Sequence, residues 1–424
     1  MTRAGARARE HWTAEQAERH LLARERFGMR FGLDRIHRLM NVLGMPRVPY
    51  PTIHVVGTNG KSSTTRMIAA LLERHGLRTG CFTSPHLLSY RERMRIAERD
   101  IKPERFAAAV ARAVNGAELV DRAAAQRGDA VTQFELLTAA ALCEFAGAHV
   151  DVAVLEAGLG GRYDATNIVD SRVAVLTNVG LEHTRYLGPT VRHIAIEKLD
   201  VLRPAATLVV GAGIHADALE VARATVAQRG ARLVYAQPQL EVELRARGAY
   251  QARNFATAVS AARAFLGREP DPATVAAAAA EVVVPGRFEV HEGSPVTLFD
   301  GAHNDGGIEA LAASLPDFVR GRRLIAVVSI LDDKDAAGML RRLLEHCEAL
   351  VCTECTSPRA LPAATLASLA GQLGGAATIA GEPHRALAAA RELAGAEGVV
   401  LATGSIYLIA DLLRPPGAAG GSAL

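Results

Sequence analysis

Short unbroken apolar runs, each followed by a longer stretch with helical periodicity, recur along the whole chain. The pattern predicts helix over residues 12–44, ending near Gly44 with Pro46 and Pro51 behind it. Ile53 to Val56 then reads as a strand that runs straight into a glycine loop, and Thr64 to His75 as a helix closed by Gly76. Further strands are expected at 152–155, 173–176 and 206–210, with helices at 103–114 and 132–145 among the intervening stretches. Fully apolar strands spaced by helices imply a parallel sheet covered on both faces.

The alternation pauses at Val284-Pro285-Gly286-Arg287 and restarts at 296–299, continuing with strands at 324–329, 349–352, 377–379 and 399–402. The fold class is therefore α/β: a P-loop-type parallel-sheet domain over residues 1–295, connected through about 286–295 to a smaller, Rossmann-like α/β domain over 296–424. The tail Pro415 to Leu424 is rich in Gly, Ala and Pro and is expected to fray. No internal repeat of fixed period is present.

Composition narrows the classes. At 424 residues, 49% hydrophobic and 22% charged, the chain can bury more than one core. A net charge of only +3 argues against a nucleic-acid or membrane surface. Five cysteines form no regular framework, which fits a reducing compartment. Cys352 and Cys355 have CxxC spacing but lack the second pair that would complete a zinc site. The first thirty residues mix arginine with acids and lack the apolar segment of a secretory signal, so the expected location is cytoplasmic.

Lysine usage is the sharper clue. Of 48 basic residues only four are lysine: Lys61, Lys102, Lys198 and Lys334. A chain that otherwise writes arginine keeps lysine where a slim ammonium, or an amine able to lose its proton, is required. Lys61 closes the loop Gly57-Thr58-Asn59-Gly60-Lys61-Ser62 directly after a strand. Small residues there let backbone N–H groups approach phosphate oxygens, Lys61 neutralises phosphate charge, and a hydroxyl at Ser62 or Ser63 can approach Mg2+. Position 55 is valine rather than the glycine of the longer phosphate-loop pattern, so the loop is a shortened form. Glu156 and His183, each beyond the end of an expected strand on the same sheet edge, are candidate metal ligands, Glu156 the stronger of the two.

Taken together, these segments resemble the folylpolyglutamate synthase/dihydrofolate synthase family of the Mur ligase superfamily. The resemblance runs from about residue 30 to residue 412 through blocks in order. They include FGLDRIHRLMNVLG, HVVGTNGKSS, TSPHLLSYRERMRI, VLEAGLGGRYDATN, TNVGLEHTRYLG, IAIEKL, RNFATAV, PGRFEV, FDGAHN and DDKD. It implies an ATP-dependent ligase that adds L-glutamate to dihydropteroate, to folates, or to both, through an acyl phosphate. The cofactors implied are ATP and Mg2+, and the partners are small molecules, with no nucleic acid or membrane and a monomeric state.

By position, the resemblance places ATP phosphates at Gly57, Thr58, Asn59, Gly60, Lys61 and Ser62, and nucleotide contacts at Asn254, Arg287 and Asp300. It implies Mg2+ at Ser84, Glu156 and His183, and a carbamylated Lys198 able to hold a second ion. The pterin end of the acceptor is expected at Leu33, Asp34, Arg35, Phe134, Tyr163 and Asp164. His303, Asp332 and Lys334 are expected at the cleft that receives glutamate. Three departures stand out: Ser62 where glycine is common, Leu199-Asp200 in place of a small pair beyond Lys198, and Asp305 in place of proline. Asp200 thus adds a carboxylate near the lysine expected to be modified. Another Mur-type ligase with a peptidoglycan-precursor acceptor, and a P-loop ATPase switch module, are the competing readings.

Overall fold

The computed structural model describes residues 12–24, 30–127, 129–238 and 240–416. The first sheet is built from β1 (Thr52–Val56), β2 (Thr79–Phe82), β3 (Met94–Ile96), β4 (Arg99–Asp100), β5 (Val152–Glu156), β6 (Val173–Leu176), β7 (Thr207–Val210) and β8 (Arg232–Tyr235). Their spatial order is β4-β3-β2-β5-β1-β6-β7-β8. Strands β2, β5, β1, β6, β7 and β8 run parallel, and the β3–β4 hairpin adds an antiparallel edge.

Both faces of this sheet are covered, as unbroken apolar strands require. Ile53 and Val55 pack with Met67 and Phe255 beneath the helices Lys61–Arg74 and Ala249–Leu266. The opposite face is shared by two clusters. Phe82 and Leu155 meet the helices Pro103–Ala123 and Gln133–Gly147, while Val56, Leu176 and Leu208 meet Val191–Leu199 and Ala216–Arg229.

The second sheet comprises β9 (Glu289–His291), β10 (Val296–Phe299), β11 (Leu324–Val328), β12 (Ala349–Cys352), β13 (Ala377–Ile379) and β14 (Val399–Thr403), ordered β13-β12-β11-β14-β10-β9. All its pairings are parallel except β9 against β10. The stretch 286–295, read from sequence as a connection, therefore supplies an edge strand of the second sheet.

Two further expectations change. The single helix expected over 12–44 is two helices, Ala14–Arg24 and Asp34–Val42, and residues 30–33 between them are not helical, with Gly32 at φ 119°. Positions 25–29, and the expected tail beyond 416, lie outside the described residues. All five cysteines are free and buried, and burial pushes the Cys352 thiol up to about 11. No described helix is long and apolar enough to cross a membrane.

Candidate active site

Strand β1 lies between β5 and β6, and the chain leaves β1 toward β2 on one side but leaves β6 toward β7 on the other. Such a reversal opens a crevice at the carboxyl ends of parallel strands. The glycine loop follows β1, Glu156 ends β5, and Thr177-Asn178 follow β6, so three adjacent strands deliver polar groups to one place.

The loop is held from behind. The N–H of Thr58 donates to the Asn178 carbonyl at 3.0 Å, that of Asn59 to Asn178 Oδ1 at 2.8 Å, and Thr177 Oγ1 donates to the Asn59 carbonyl at 2.7 Å. Gly57 has φ 153°, and a Cβ there would stand 1.9 Å from Thr177 Oγ1, so only glycine fits. Gly60, at φ 79°, sits under Asn254, whose Oδ1 reaches over it from the helix Ala249–Leu266 and would lie 2.5 Å from a Cβ there. The helix Lys61–Arg74 begins at Lys61 itself with no side chain capping its N-terminus. Its first N–H groups thus remain available to an anion.

Beside the loop, Glu156 is buried at 1% exposure, and both its oxygens are met by neutral donors: Ser62 Oγ at 2.8 Å and the Ser84 N–H at 2.9 Å. Burial raises its pKa, opposed mainly by Lys61. Ser62, the departure from the common glycine, thus places its hydroxyl directly on the candidate metal carboxylate. A buried carboxylate hydrogen-bonded only by neutral donors, with hydroxyl and carbonyl oxygens beside it, suits a hard divalent ion. No cluster of three or more His, Cys, Asp or Glu forms a metal cage among the described residues. The expected set is instead mixed: Ser84, Glu156 and the His183 imidazole, whose pKa burial lowers so that it stays neutral.

Lys198 is 2% exposed and donates to the Gly57 carbonyl at 2.7 Å. Burial, reinforced by Lys61, brings its pKa down to about 7. Asp200 does not crowd it, because its carboxylate pairs with Arg229 at 2.7 Å and faces Arg162 at 3.8 Å. Asp305, another departure, pairs at the surface with Arg342 at 2.7 Å.

The second sheet closes the crevice. The side chains of Asn59 and Asn304 exchange two hydrogen bonds, at 3.1 and 3.0 Å. His303 Nδ1–H donates to the Gly301 carbonyl at 2.9 Å, and burial takes this imidazole to about 4. Its Nε2 lies 4.0 Å from Glu182 Oε1, which is 3.6 Å from His183 Nε2. Burial raises the Glu182 pKa, but Lys61, Lys198, His183 and His303 outweigh it and hold the carboxyl below its ordinary value. Glu182 was not singled out from sequence, although an acid directly before a candidate ligand was a usable signal. Thr177, Asn178 and Asn304 were missed likewise.

Not every expected residue faces the crevice. Arg35 is buried, with Nε on both oxygens of Glu135 at 3.0 and 3.1 Å, Nη1 on Asp129 at 2.8 Å and Nη2 on the Arg30 carbonyl at 2.9 Å. Its guanidinium is committed inside the protein. Asp164 is likewise occupied, accepting from the N–H groups of Gly158, Leu159 and Thr166 at 2.8, 3.0 and 3.0 Å. Asp300 is buried and accepts from Tyr250, Phe288 N and Ala302 N. Arg287 Nη1 donates to the Gly286 carbonyl at 3.0 Å and acts electrostatically on Glu156, Asp300 and His303. Lys334 pairs with Asp333 at 2.8 Å while its charge reaches His183 and His303, whereas Asp332 is exposed. Leu33 and Phe134 are half-buried, and Asp34 and Tyr163 exposed.

Comparison with known proteins agrees with this geometry. The Mur ligase middle domain matches residues 55–204, and the Mur ligase glutamate ligase domain matches 286–406. A dihydrofolate synthase/folylpolyglutamate synthase of Mycobacterium tuberculosis is 36% identical over 80% of this chain and 77% of its own. A solved Mycobacterium tuberculosis folylpolyglutamate synthase complexed with ADP superposes with TM-score 0.88 at 34% identity, over 95% of this chain and 99% of that one. A bifunctional folylpolyglutamate synthase/dihydrofolate synthase with Mn, AMPPNP and L-glutamate bound superposes with TM-score 0.82 at 30% identity, over 95% and 99%. The chain belongs to the folylpolyglutamate synthase/dihydrofolate synthase family of Mur ligases.

Proposed function

We propose that the protein is an ATP-dependent ligase that joins the amine of L-glutamate to the carboxylate of dihydropteroate, of folates, or of both. The observation that carries this reading is the junction of the two sheets. There the phosphate loop, through Asn59, touches the second-domain helix start at Asn304, and His303 comes within 4.0 Å of Glu182. A carboxylate is a poor electrophile, and transfer of the ATP γ-phosphate onto it creates an acyl phosphate with a good leaving group. Phosphoryl transfer asks for positioning and charge neutralisation more than for a protein nucleophile.

In this reading Lys61 and the uncapped helix start bind the phosphates, and Arg287 and Lys334 add positive charge from the second domain. A divalent ion held by Glu156, Ser84 and His183, with Ser62 beside it, supplies further neutralisation when bound. Burial keeps His303 neutral, and with Nδ1–H held by Gly301 its Nε2 can accept a hydrogen bond that orients the incoming glutamate amine. Lys198, titrating at about 7, keeps an uncharged fraction near neutrality, the form able to add carbon dioxide and become a carbamate. Closure of the two domains keeps water from the acyl phosphate.

The test is ATP turnover with dihydropteroate, tetrahydrofolate or a UDP-muramoyl acceptor, each with and without glutamate. Turnover that needs both a pterin acceptor and glutamate, and that disappears in Lys61→Ala, is expected. ATP hydrolysis indifferent to acceptor and glutamate would overturn the reading.

A further inference from the structure

One first-domain residue is built into the second domain. Leu87, in the connection between β2 and β3, is buried in the apolar cluster of Phe299, Leu408 and Ile409. Among the described residues it is that cluster's only member from before residue 286. It packs closely over Gly286, where a Cβ would stand 3.2 Å from Leu87 Cδ1 and 3.4 Å from Ile409 Cγ2. Its carbonyl accepts from Arg414 Nη2 at 2.8 Å. Arg414 directly follows the last helix, Ile406–Leu413, and is itself held within the second domain. Asp411, 3.5 Å from Arg414 Nη1, accepts from the Thr356 N–H and Oγ1, both at 2.8 Å. The Arg414 carbonyl lies 3.0 Å from His384 Nε2.

The same connection carries Ser84, whose N–H donates to Glu156 at 2.9 Å and whose carbonyl lies 3.3 Å from Ser62 Oγ. Only Pro85 and His86 separate Ser84 from Leu87, and the segment has little slack. His86 Nδ1 accepts from Arg93 Nε at 2.9 Å, and its ring centroid lies 4.3 Å from that of Tyr90. Glu92 accepts from the N–H groups of Leu87, Leu88 and Ser89 at 2.9, 2.7 and 2.7 Å. From the first helix, Glu18 accepts from Ser89 Oγ at 2.7 Å. A segment pinned at so many points passes a displacement on rather than absorbing it. Loosening Leu87 in the second domain's core therefore loosens Ser84 beside Glu156. Groups that hold a metal ligand in place without touching the ion typically change ion affinity by roughly 10- to 100-fold when removed.

We infer that Arg414 and Leu87 are positioning residues for the divalent ion: through them the second domain fixes residues 84–87 so that Ser84 stays beside Glu156. The inference rests on the proposed reading of Ser84, Glu156 and His183 as the groups that hold the ion. Arg414 and Leu87 belong neither to the phosphate loop nor to that set, and both act through the short stretch of backbone that ends at Ser84.

The experiment uses the full-length protein with Arg414→Met and Leu87→Ala, and with Arg414→Lys and Leu87→Met as conservative partners. Leu87→Val takes the place of Leu87→Ala if the alanine variant does not fold. Mn2+ is titrated into each protein saturated with AMPPNP, and the free ion is followed by its paramagnetic resonance signal. Arg414→Met and Leu87→Ala should each weaken Mn2+ binding about tenfold, the lower end of the range for such supporting groups. AMPPNP affinity measured in EDTA should stay within about twofold of the parent, and the conservative variants should hold Mn2+ within about threefold. Unchanged Mn2+ affinity in either disruptive variant, even with a lowered melting temperature, makes the contact merely structural and overturns the inference. AMPPNP affinity in EDTA that falls as far as Mn2+ affinity also overturns it, because the two residues would then support the whole nucleotide crevice. A parent complex that takes up no Mn2+ sinks the proposed metal site itself, and the inference with it. Mn2+ binding weakened as expected in a parent that shows no glutamate-dependent turnover would uphold the positioning role while the ligase reading fails.

Discussion

Replacing Lys198 with methionine should make the nucleotide-free protein more stable at pH 6 while abolishing ligation. In the fold the amine titrates at about 7 against an ordinary 10.5, first because of burial and then because of Lys61. The difference is roughly 3.5 units, and at about 1.36 kcal/mol each it amounts to about 5 kcal/mol of penalty for holding the charge. Between the two values the unfolded chain binds a proton that the folded chain has released, so stability rises with pH across that window. Below about 7 the whole penalty is present; above about 10.5 none remains. Methionine has similar reach and no charge, but forfeits the 2.7 Å hydrogen bond to the Gly57 carbonyl, a loss of about 1–2 kcal/mol. The variant should therefore be about 3 kcal/mol more stable than the parent at pH 6 and about 1 kcal/mol less stable at the alkaline end. Urea denaturation of both proteins at steps from pH 6 to 10.5, with ATP turnover measured in parallel, reads the crossing. A methionine variant that is less stable at pH 6, by a margin that does not change with pH, would refute the reasoning.

Gly57→Ala should cost about 3 kcal/mol or more, because it combines a φ of 153° with a Cβ 1.9 Å from Thr177 Oγ1. Adding Thr177→Ala should recover part of that loss by removing the collision but not the backbone strain, and thermal melts of the three variants decide. Arg35→Met should destabilise by about 3–5 kcal/mol, since it strands the buried Glu135 carboxylate, yet leave the acceptor KM unchanged in the folded fraction. A raised acceptor KM with unaltered stability would instead put Arg35 in the acceptor site.

Much of the architecture was legible because fully buried parallel strands must be apolar throughout, as in β1 and β5, whose every residue is buried. The hairpin β3–β4 was not. Its strands carry Arg95, Arg99 and Asp100, and its two-residue turn uses Ala97 and Glu98 at φ 50° and 58°. Glycine or asparagine is the usual signal for that conformation, and both are absent. The break between the first two helices escaped because helical periodicity continues on either side of it.

At the site, the phosphate loop and Glu156 were readable from local order: strand, glycines, lysine, and an acid at a strand end. What stayed hidden were contacts made across long separations. Asp200 looked in sequence like a second charge beside Lys198, yet Arg229 draws it away. Arg35 and Asp164 lie in blocks tied to the acceptor by resemblance, but their polar atoms are engaged by Glu135 and Asp129, and by the backbone of the 158–161 loop. Sequence spacing carries no information on where a side chain turns.

The crosswise amide pair between Asn59 and Asn304 contains no ionisable group, though titrating neighbours surround it. Acidity can thus alter the charge of Lys198 without altering the grip that registers one lobe on the other. An aspartate in either place would make that registration itself respond to pH, whereas two carboxamides keep assembly of the crevice independent of its protonation.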